Sequence, residues 1–270
     1  MRILHTSDWH LGRVFFQESL LEDQAHLLEQ VFAAVKDAKV DALIIAGDIF
    51  DRQNPKREAV ALFDEFLTRV YRDTGAAIVA IAGNHDAPER VAFGRGLQDP
   101  KRVLIRGPLE ATSAPLFLDD EFGTVAFSAL PFAEVYGARQ VFADQTIGTP
   151  SDVLTAQMKT ARSSVPESCR WVVTAHAFVA GGAKTDSERS LALVGGIETV
   201  SPEVFSGAHY VALGHLHRAQ HVGQKQIRYS GDLTGSFRTK RFVRNCLGRE
   251  FCHAEEEVQR GADCGAASPN

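Results

Sequence analysis

Five short polar clusters in this chain carry residue types that can do chemistry: Asp8-Trp9-His10, Gly47-Asp48, Gly83-Asn84-His85-Asp86, His176, and Gly214-His215-Leu216-His217. Together they supply carboxylates, imidazoles and one amide. Carboxylate oxygens neutralise cations and can bridge two of them, while imidazoles and an amide oxygen fill the remaining coordination positions. Two metals about 3.5–4 Å apart can clamp a phosphate and activate a water between them. Each fragment alone has a plainer reading. Asp-x-His suits a turn, Gly-Asp a strand-ending turn, Asn-His-Asp a helix cap, and a single histidine a structural hydrogen bond. Gly-His-x-His is the most telling fragment, because side chains two apart can converge on one ion. All five together, in this order and each after a strand-like run, point to a two-metal hydrolytic site.

The elements that must position these clusters are short and apolar. Residues 2–6 read as a buried strand, and so do 42–46 (ALIIA) and 76–82 (AAIVAIA), which suit a sheet covered on both faces. Leu20, Leu21, Leu27, Leu28, Val31, Phe32 and Val35 recur at helical spacing within 18–39. Pro55 can open a second helix, with Val60, Leu62, Phe63, Phe66, Leu67 and Val70 on its buried side. Strand, helix, strand, helix, strand implies parallel strands joined by right-handed crossovers. In such sheets the ligand site lies beyond the carboxyl ends of the strands, where the first three clusters fall. Residues 103–105, 115–118 and 124–130 predict a second sheet. Residues 151–163 predict a helix with Ser151 as N-cap. Strands at 171–174 and 210–213 lead to His176 and to His215, and 226–230 is the last clear strand. The Gly-rich, polar stretch 180–196 reads as a long functional loop.

Composition bounds the function. With 270 residues, 44% hydrophobic and 23% charged, the chain is of ordinary globular composition and long enough for one large domain or two small ones. No apolar run approaches the ~20 residues that span a membrane. The opening MRILHTSDWH has no long apolar segment of a secretory signal. Cys169, Cys246, Cys252 and Cys264 are too scattered for a disulfide framework, so a cytoplasmic location is expected. A net charge of −5 argues against nucleic-acid binding by bulk positive charge. It leaves room for local contacts from Arg13, Arg52, Lys56, Arg90, Arg189 and Arg218, which flank the clusters. Residues 1–231 read as one domain. After Gly231 the pattern deteriorates, and 232–270, with three of the four cysteines, reads as a poorly ordered tail.

The ordered clusters resemble those of the calcineurin-like metallophosphoesterases over residues 1–231, and within them the SbcD family of nuclease subunits. The likeness is carried by MRILHTSDWHLG at the start, Gly47-Asp48-Ile49-Phe50-Asp51-Arg52 followed by Pro55, Ala82-Gly83-Asn84-His85-Asp86, the run from Tyr210 to Gln220, and Arg228-Tyr229-Ser230-Gly231. Lys184-Thr185-Asp186-Ser187-Glu188-Arg189 adds to it. The resemblance implies an α/β fold, a four-layer α-β-β-α sandwich with two mixed sheets flanked by helices. It implies one metal held by Asp8, His10 and His217, a second held by Asn84, His176 and His215, and Asp48 bridging both. His85 is implied as the catalytic residue that meets the scissile phosphate and serves the leaving oxygen without ligating metal. Manganese is the implied cofactor, although the ligand types also suit zinc or iron. The implied activity is DNA exonuclease and endonuclease cleavage in recombination, replication and repair. DNA, an SbcC-type ATPase and a second copy of the chain are the implied partners, with no membrane. Helices over 57–70 and 88–97 would form the dimer, with Val60, Phe63, Phe66, Val91 and Phe93 as its apolar surface. A small-substrate phosphodiesterase or phosphatase, or an inactive fragment, are the competing readings.

The chain departs from that family after Ser230-Gly231. Asp232-Leu233-Thr234-Gly235 replaces the expected turn, and the capping domain of that family is expected to be absent. The abrupt loss of pattern suggests a frameshifted reading frame, or a naturally short variant. All seven implied ligands precede that point. Asp51 and Asp86 read as loop-holding neighbours of ligands, and His5 as a core histidine. His26, His209, His221 and His253 match no ligand position.

Overall fold

Two sheets stacked face to face, each covered outside by helices, organise the chain. The computed structural model describes residues 1–112, 114–184 and 199–233, together with the backbone of 243–245. Along the chain run β1 (Arg2–Thr6), β2 (Val14–Phe15), β3 (Glu18–Ser19), α1 (Leu21–Asp37), β4 (Ala42–Ala46), α2 (Arg57–Asp73), β5 (Ala77–Ile81), α3 (Pro88–Val91) and β6 (Val103–Arg106). There follow β7 (Leu116–Asp120), β8 (Gly123–Leu130), α4 (Val135–Phe142), α5 (Pro150–Ser163), β9 (Arg170–His176), β10 (Tyr210–Gly214), β11 (Gln220–Val222), β12 (Gln224–Tyr229) and β13 (Val243–Asn245).

The first sheet has the order β13-β1-β4-β5-β6, and the second β11-β12-β10-β9-β8-β7. The ladders β1–β4, β4–β5 and β5–β6 are parallel, as the alternation of strands and helices requires. In the second sheet β8, β9, β10 and β12 are parallel, with antiparallel partners β7 and β11 at its edges. In the first sheet, β1, β4, β5 and β6 alternate their side chains between two cores. Leu43 and Ile45 of β4 meet Leu28, Val31, Val35, Phe63 and Phe66 of α1 and α2. Ala42, Ile44 and Ala46 meet Val125, Phe127, Val172 and Ala212 of the opposite sheet. Burial on both faces is why these strands read as unbroken apolar runs. A third core joins the outer face of the second sheet to α5 through Leu154, Met158, Ala161 and Trp171. The layers are therefore α-β-β-α.

Several boundaries differ from the sequence reading. The first helix begins at Leu21, because Glu18 and Ser19 pair with Phe15 and Val14 in a small hairpin. The second helix begins at Arg57, with Lys56 as its N-cap, so Pro55 lies outside it. The cap of α5 is Thr149, not Ser151: Thr149 Oγ1 accepts from Asp152 N (3.1 Å) and the Asp152 carboxylate accepts from Thr149 N (2.9 Å). That reciprocal pair puts Pro150 at the first helical position, where its missing N–H costs nothing. Phe63, Phe66 and Val91 are buried in the core and supply no dimer surface, whereas Phe93 is exposed. At Val243–Asn245, where the sequence shows no strand pattern, the backbone pairs with β1 and satisfies the edge of the first sheet. The other residues of 234–270, and most of the loop 180–196 with Arg189, lie outside the described residues.

Candidate metal centre

All eight residues singled out for chemistry come together at the carboxyl ends of the strands. β1 leads to Asp8 and His10, β4 to Asp48, β5 to Asn84 and His85, β9 ends at His176, and β10 leads to His215 and His217. Hydrogen bonds extend the β1–β4 ladder into the site: Asp8 N donates to Gly47 O (3.0 Å), His10 N to Asp48 O (3.0 Å) and Leu11 N to Ile49 O (2.9 Å). Asp8, His10, Asp48 and His215 all have positive φ, at 54°, 45°, 50° and 103°. Left-handed backbone at four non-glycine residues is unfavourable, and its concentration here marks a site that the fold holds against strain.

Asp48 lies between two groups of imidazoles. Its Oδ2 is 3.8 Å from His10 Nε2, and its Oδ1 is 3.4 Å from His176 Nε2. On one side, the Nε2 atoms of His10 and His217 face each other at 3.2 Å, beside the buried Asp8. On the other, Asn84 Oδ1 stands 2.9 Å from His176 Nε2 and 3.0 Å from His215 Nδ1. His85 lies beside the first group, its ring centroid 4.8 Å from that of His10, and His10, Asp51 and His85 form a further set of donors close enough to share an ion. The His85 backbone N–H donates to Asp48 Oδ1 (2.9 Å), and its Nδ1–H donates to the Asp51 carbonyl (3.1 Å). That bond leaves His85 Nε2 directed into the site, 4.0 Å from Asp48 Oδ2.

The donor set fits a pair of divalent cations. His176 shows why. Its Nδ1–H donates to the Ala46 carbonyl (2.8 Å), so the neutral ring has its lone pair on Nε2, facing the oxygens of Asn84 and Asp48. A lone pair aimed at two acceptors needs a positive species between them, either a proton or a metal ion. The His10–His217 pair makes the same demand, since two ring nitrogens at 3.2 Å are both natural acceptors when the other nitrogen carries the proton. His10 Nδ1 is buried and has no hydrogen-bond partner among the described residues; the Asp51 carboxylate is 3.9 Å away.

The electrostatics agree. Burial, reinforced by repulsion from Asp48, pushes the Asp8 carboxyl up to about 7 despite the attraction of His176. Burial likewise lowers His10 and His215 to about 3, so both are neutral ligands at ordinary pH. Burial would also lower His176, but the charge of Asp48, its hydrogen bond, Asp8 and the Ala46 carbonyl together raise it to about 9. Burial opposes ionisation of Asp48 too; His176, followed by His10 and His85, outweighs it and holds the carboxyl below the usual carboxylate range. The ion-free chain therefore keeps a proton where the geometry also suits a cation.

The residues behind the site explain its rigidity. Asp86 accepts from Gly83 N (2.8 Å), Ile49 N (3.1 Å) and Phe50 N (2.8 Å), clamping the Asp48 and Asn84 loops together. Burial and the nearby Asp48 raise its carboxyl to about 6. Three further polar groups escape the sequence reading. Gln24, on the core side of α1, donates to Trp9 O (3.1 Å) and His10 O (2.8 Å) and accepts from Gly12 N (2.9 Å). Ser7 donates to the Asp8 carboxylate and meets Ser230 Oγ at 2.7 Å. Asp232 Oδ2 is 3.9 Å from His217 Nδ1. The available signal for Gln24 was its place in the stripe Gln24, Leu28, Val31, Val35, where an apolar residue is the norm. His5 is a core histidine, between Tyr210 Oη (3.0 Å) and the Leu213 carbonyl (3.1 Å). His209 accepts from Trp171 N, and His26 and His221 are exposed elsewhere.

Comparison with known families matches the calcineurin-like phosphoesterases over residues 1–219. Among solved structures, the chain is similar to a dimetal phosphatase from Danio rerio, with 11% identity over 86% of this chain and 88% of that one and a TM-score of 0.49. It is also similar to GAP50, the anchor in the inner membrane complex of Plasmodium, with 10% identity over 85% and 70% of the two chains and a TM-score of 0.44. No helix among the described residues is long and apolar enough to cross a membrane.

Proposed function

This chain belongs to the calcineurin-like phosphoesterases, and we propose on that premise that it is a metal-dependent DNA nuclease of the SbcD type. The observation that carries the hydrolytic reading is the convergence of seven donors on two adjacent positions, with Asp48 between them. Asp8, His10 and His217 would hold one ion and Asn84, His176 and His215 the other, with Asp48 available to both. Manganese is the ion we assign. When bound, such ions supply Lewis acidity to a phosphate oxygen and make a nearby water more acidic. The chain's own residues do the rest. The buried carboxylates set the net charge of the site, and the Asp86 and Gln24 clamps fix the ligand loops. His85, anchored through Nδ1–H on the Asp51 carbonyl, presents Nε2 to the phosphate and, in its doubly protonated form, gives the Nε2 proton to the leaving oxygen, becoming the neutral ring.

The contexts around the ligands support a nucleic-acid substrate over a small one. Trp9, between two ligands, packs in the core against Phe63 and Phe66, with ring centroids 6.0 and 5.2 Å away, so it holds the ligand loop and does not itself meet substrate. Asp51-Arg52 follows the bridging carboxylate, and Arg52 and Lys56 are exposed beside it, where a polyanion would meet them. An SbcC-type ATPase and a second copy of the chain belong to the same proposal. The test is cleavage of plasmid, linear duplex and hairpin DNA, with a chromogenic phosphodiester in parallel, with and without Mn2+. We expect DNA cleavage that chelation abolishes. Hydrolysis of the chromogenic diester with every DNA left intact would replace the nuclease with a small-substrate phosphodiesterase.

A further inference from the structure

The hairpin that follows the first ligand loop has no part in the chemistry above. Arg13 N donates to His10 O (3.1 Å), and Leu20 N donates to Arg13 O (3.0 Å), closing the hairpin directly on the ligand loop. Val14 pairs with Ser19 and Phe15 with Glu18. The turn between them, Phe16-Gln17, has φ of 46° and 71°. Such a turn suits the twist of a two-residue hairpin, but normally employs Asn or Gly. Here it displays aromatic rings instead. Phe15 is 57% and Phe16 86% exposed, and their centroids are 4.4 Å apart with the planes at 71°. Extended chain from His10 to Phe16 spans at most about 20 Å, so both rings lie within the reach of a few nucleotides from the metal centre.

The surroundings select the occupant. Arg13 forms the root of the hairpin, and Arg52 follows the Phe50 bridge to Leu11 in the same loop pair. Lys56 is exposed a few residues on. Glu18 is the one carboxylate within the hairpin. Exposed aromatic rings on a hairpin rooted at an arginine, with further cations on the neighbouring loop, are a composition that suits single-stranded nucleic acid, with bases on the rings and phosphates on the cations. We propose that Phe15 and Phe16 form a stacking platform for unpaired bases of the polynucleotide whose phosphate occupies the metal centre. This rests on the nucleic-acid reading of the site and deepens it, because it makes single-stranded or frayed segments the preferred substrate.

The experiment compares the full chain with a Phe15→Ser/Phe16→Ser variant and with Phe16→Trp. Each binds a fluorescent, phosphorothioate single strand and an abasic strand of the same length and phosphate count, in Mn2+. The wild type should prefer the base-bearing strand roughly tenfold or more. The double serine variant should bind the two alike, and Phe16→Trp should keep the preference. Both rings are exposed, so thermal melting should report an unchanged fold. A wild type that cleaves DNA yet shows no base preference overturns this inference alone, as does a serine variant that retains the preference. A serine variant that loses only self-association points to a second copy as the occupant, and equally overturns it. A wild type that neither binds nor cleaves any DNA removes the nuclease reading, and this inference with it.

Discussion

Replacing Gly83 with alanine should dismantle the metal centre, for a reason that the motif alone does not reveal. Gly83 has no positive φ, so its own backbone would accept a side chain. The obstacle is Asp48. A Cβ on Gly83 would lie 2.2 Å from Asp48 Oδ1, 2.3 Å from Asp48 N and 2.9 Å from Asp48 Cγ. Even a weak C–H···O contact needs about 3.3 Å, so the two loops must part by roughly 1 Å. Neither loop can easily give way. Asp86 holds Gly83 N at 2.8 Å, and Asp48 Oδ1 accepts His85 N at 2.9 Å. Overpacking of this kind costs about 1–3 kcal/mol, and losing a hydrogen bond to a charged group adds roughly 1.5–3 kcal/mol. The sum, roughly 2.5–6 kcal/mol, is a large part of the ~5–15 kcal/mol that keeps a domain folded. Either the fold weakens by that much, or Asp48 moves and both ion positions suffer. Calorimetric melting and Mn2+ titration of Gly83→Ala measure the two routes. Gly75→Ala is the control, because a Cβ there meets nothing within 4 Å; it should stay within about 0.5 kcal/mol of the wild type. A Gly83→Ala chain with unaltered melting and two intact Mn2+ sites would refute the steric argument.

Three further expectations concern the groups around the site and one remote pair. His85→Gln should retain both ions, since its Nε2 stands outside the ligand set, while hydrolysis falls by about 100- to 10,000-fold; loss of metal in that variant would make His85 a ligand. Gln24→Met should weaken the ion held by His10 more than the one held by His176, because only the first loop loses its three amide bonds; equal weakening in calorimetric titration would show a general packing defect. Asp120 is held below the usual carboxylate range, chiefly by its hydrogen bond from Arg170. A depressed folded pKa adds stability above the unfolded value near ~4 and loses it as pH falls through the folded value. Asp120→Asn should therefore melt lower at neutral pH and show a shallower decline below pH 4; parallel acid limbs for the two chains would count against this.

The parts of the fold legible in the sequence are those buried on both sides. Residues 42–46 and 76–82 are apolar throughout because the strands lie between two cores, and the polar clusters begin where those strands end at the site. The ligands were legible for the same reason: Asp48, Asn84 and His215 are each the first polar residue after such a run, and the other ligands lie at or within a few residues of a strand end. Helix α4 was not, since it is only eight residues long and its short stripe of Val135, Ala138 and Phe142 has just Ala138 fully buried. The hairpin β2–β3 was masked by the helical spacing that begins just after it. Gln24 was hidden because its partners are backbone atoms of a loop, which no side-chain pattern encodes.

The close approach of the two sheets has a thermodynamic consequence. Gly214 lies so near the end of β4 that a Cβ there would stand 1.9 Å from the Ala46 carbonyl oxygen, the same oxygen that orients His176. Asp8, His10, Asp48 and Asn84 extend from the first sheet, while His176, His215 and His217 extend from the second. Each ion would thus fasten one sheet to the other, acting as a reversible crosslink. Its uptake is then a folding term: at a free concentration one hundred times its Kd, one ion adds about 2.7 kcal/mol to the docked state. The sheets in turn tune the ions, because any slippage between them would open both sites at once.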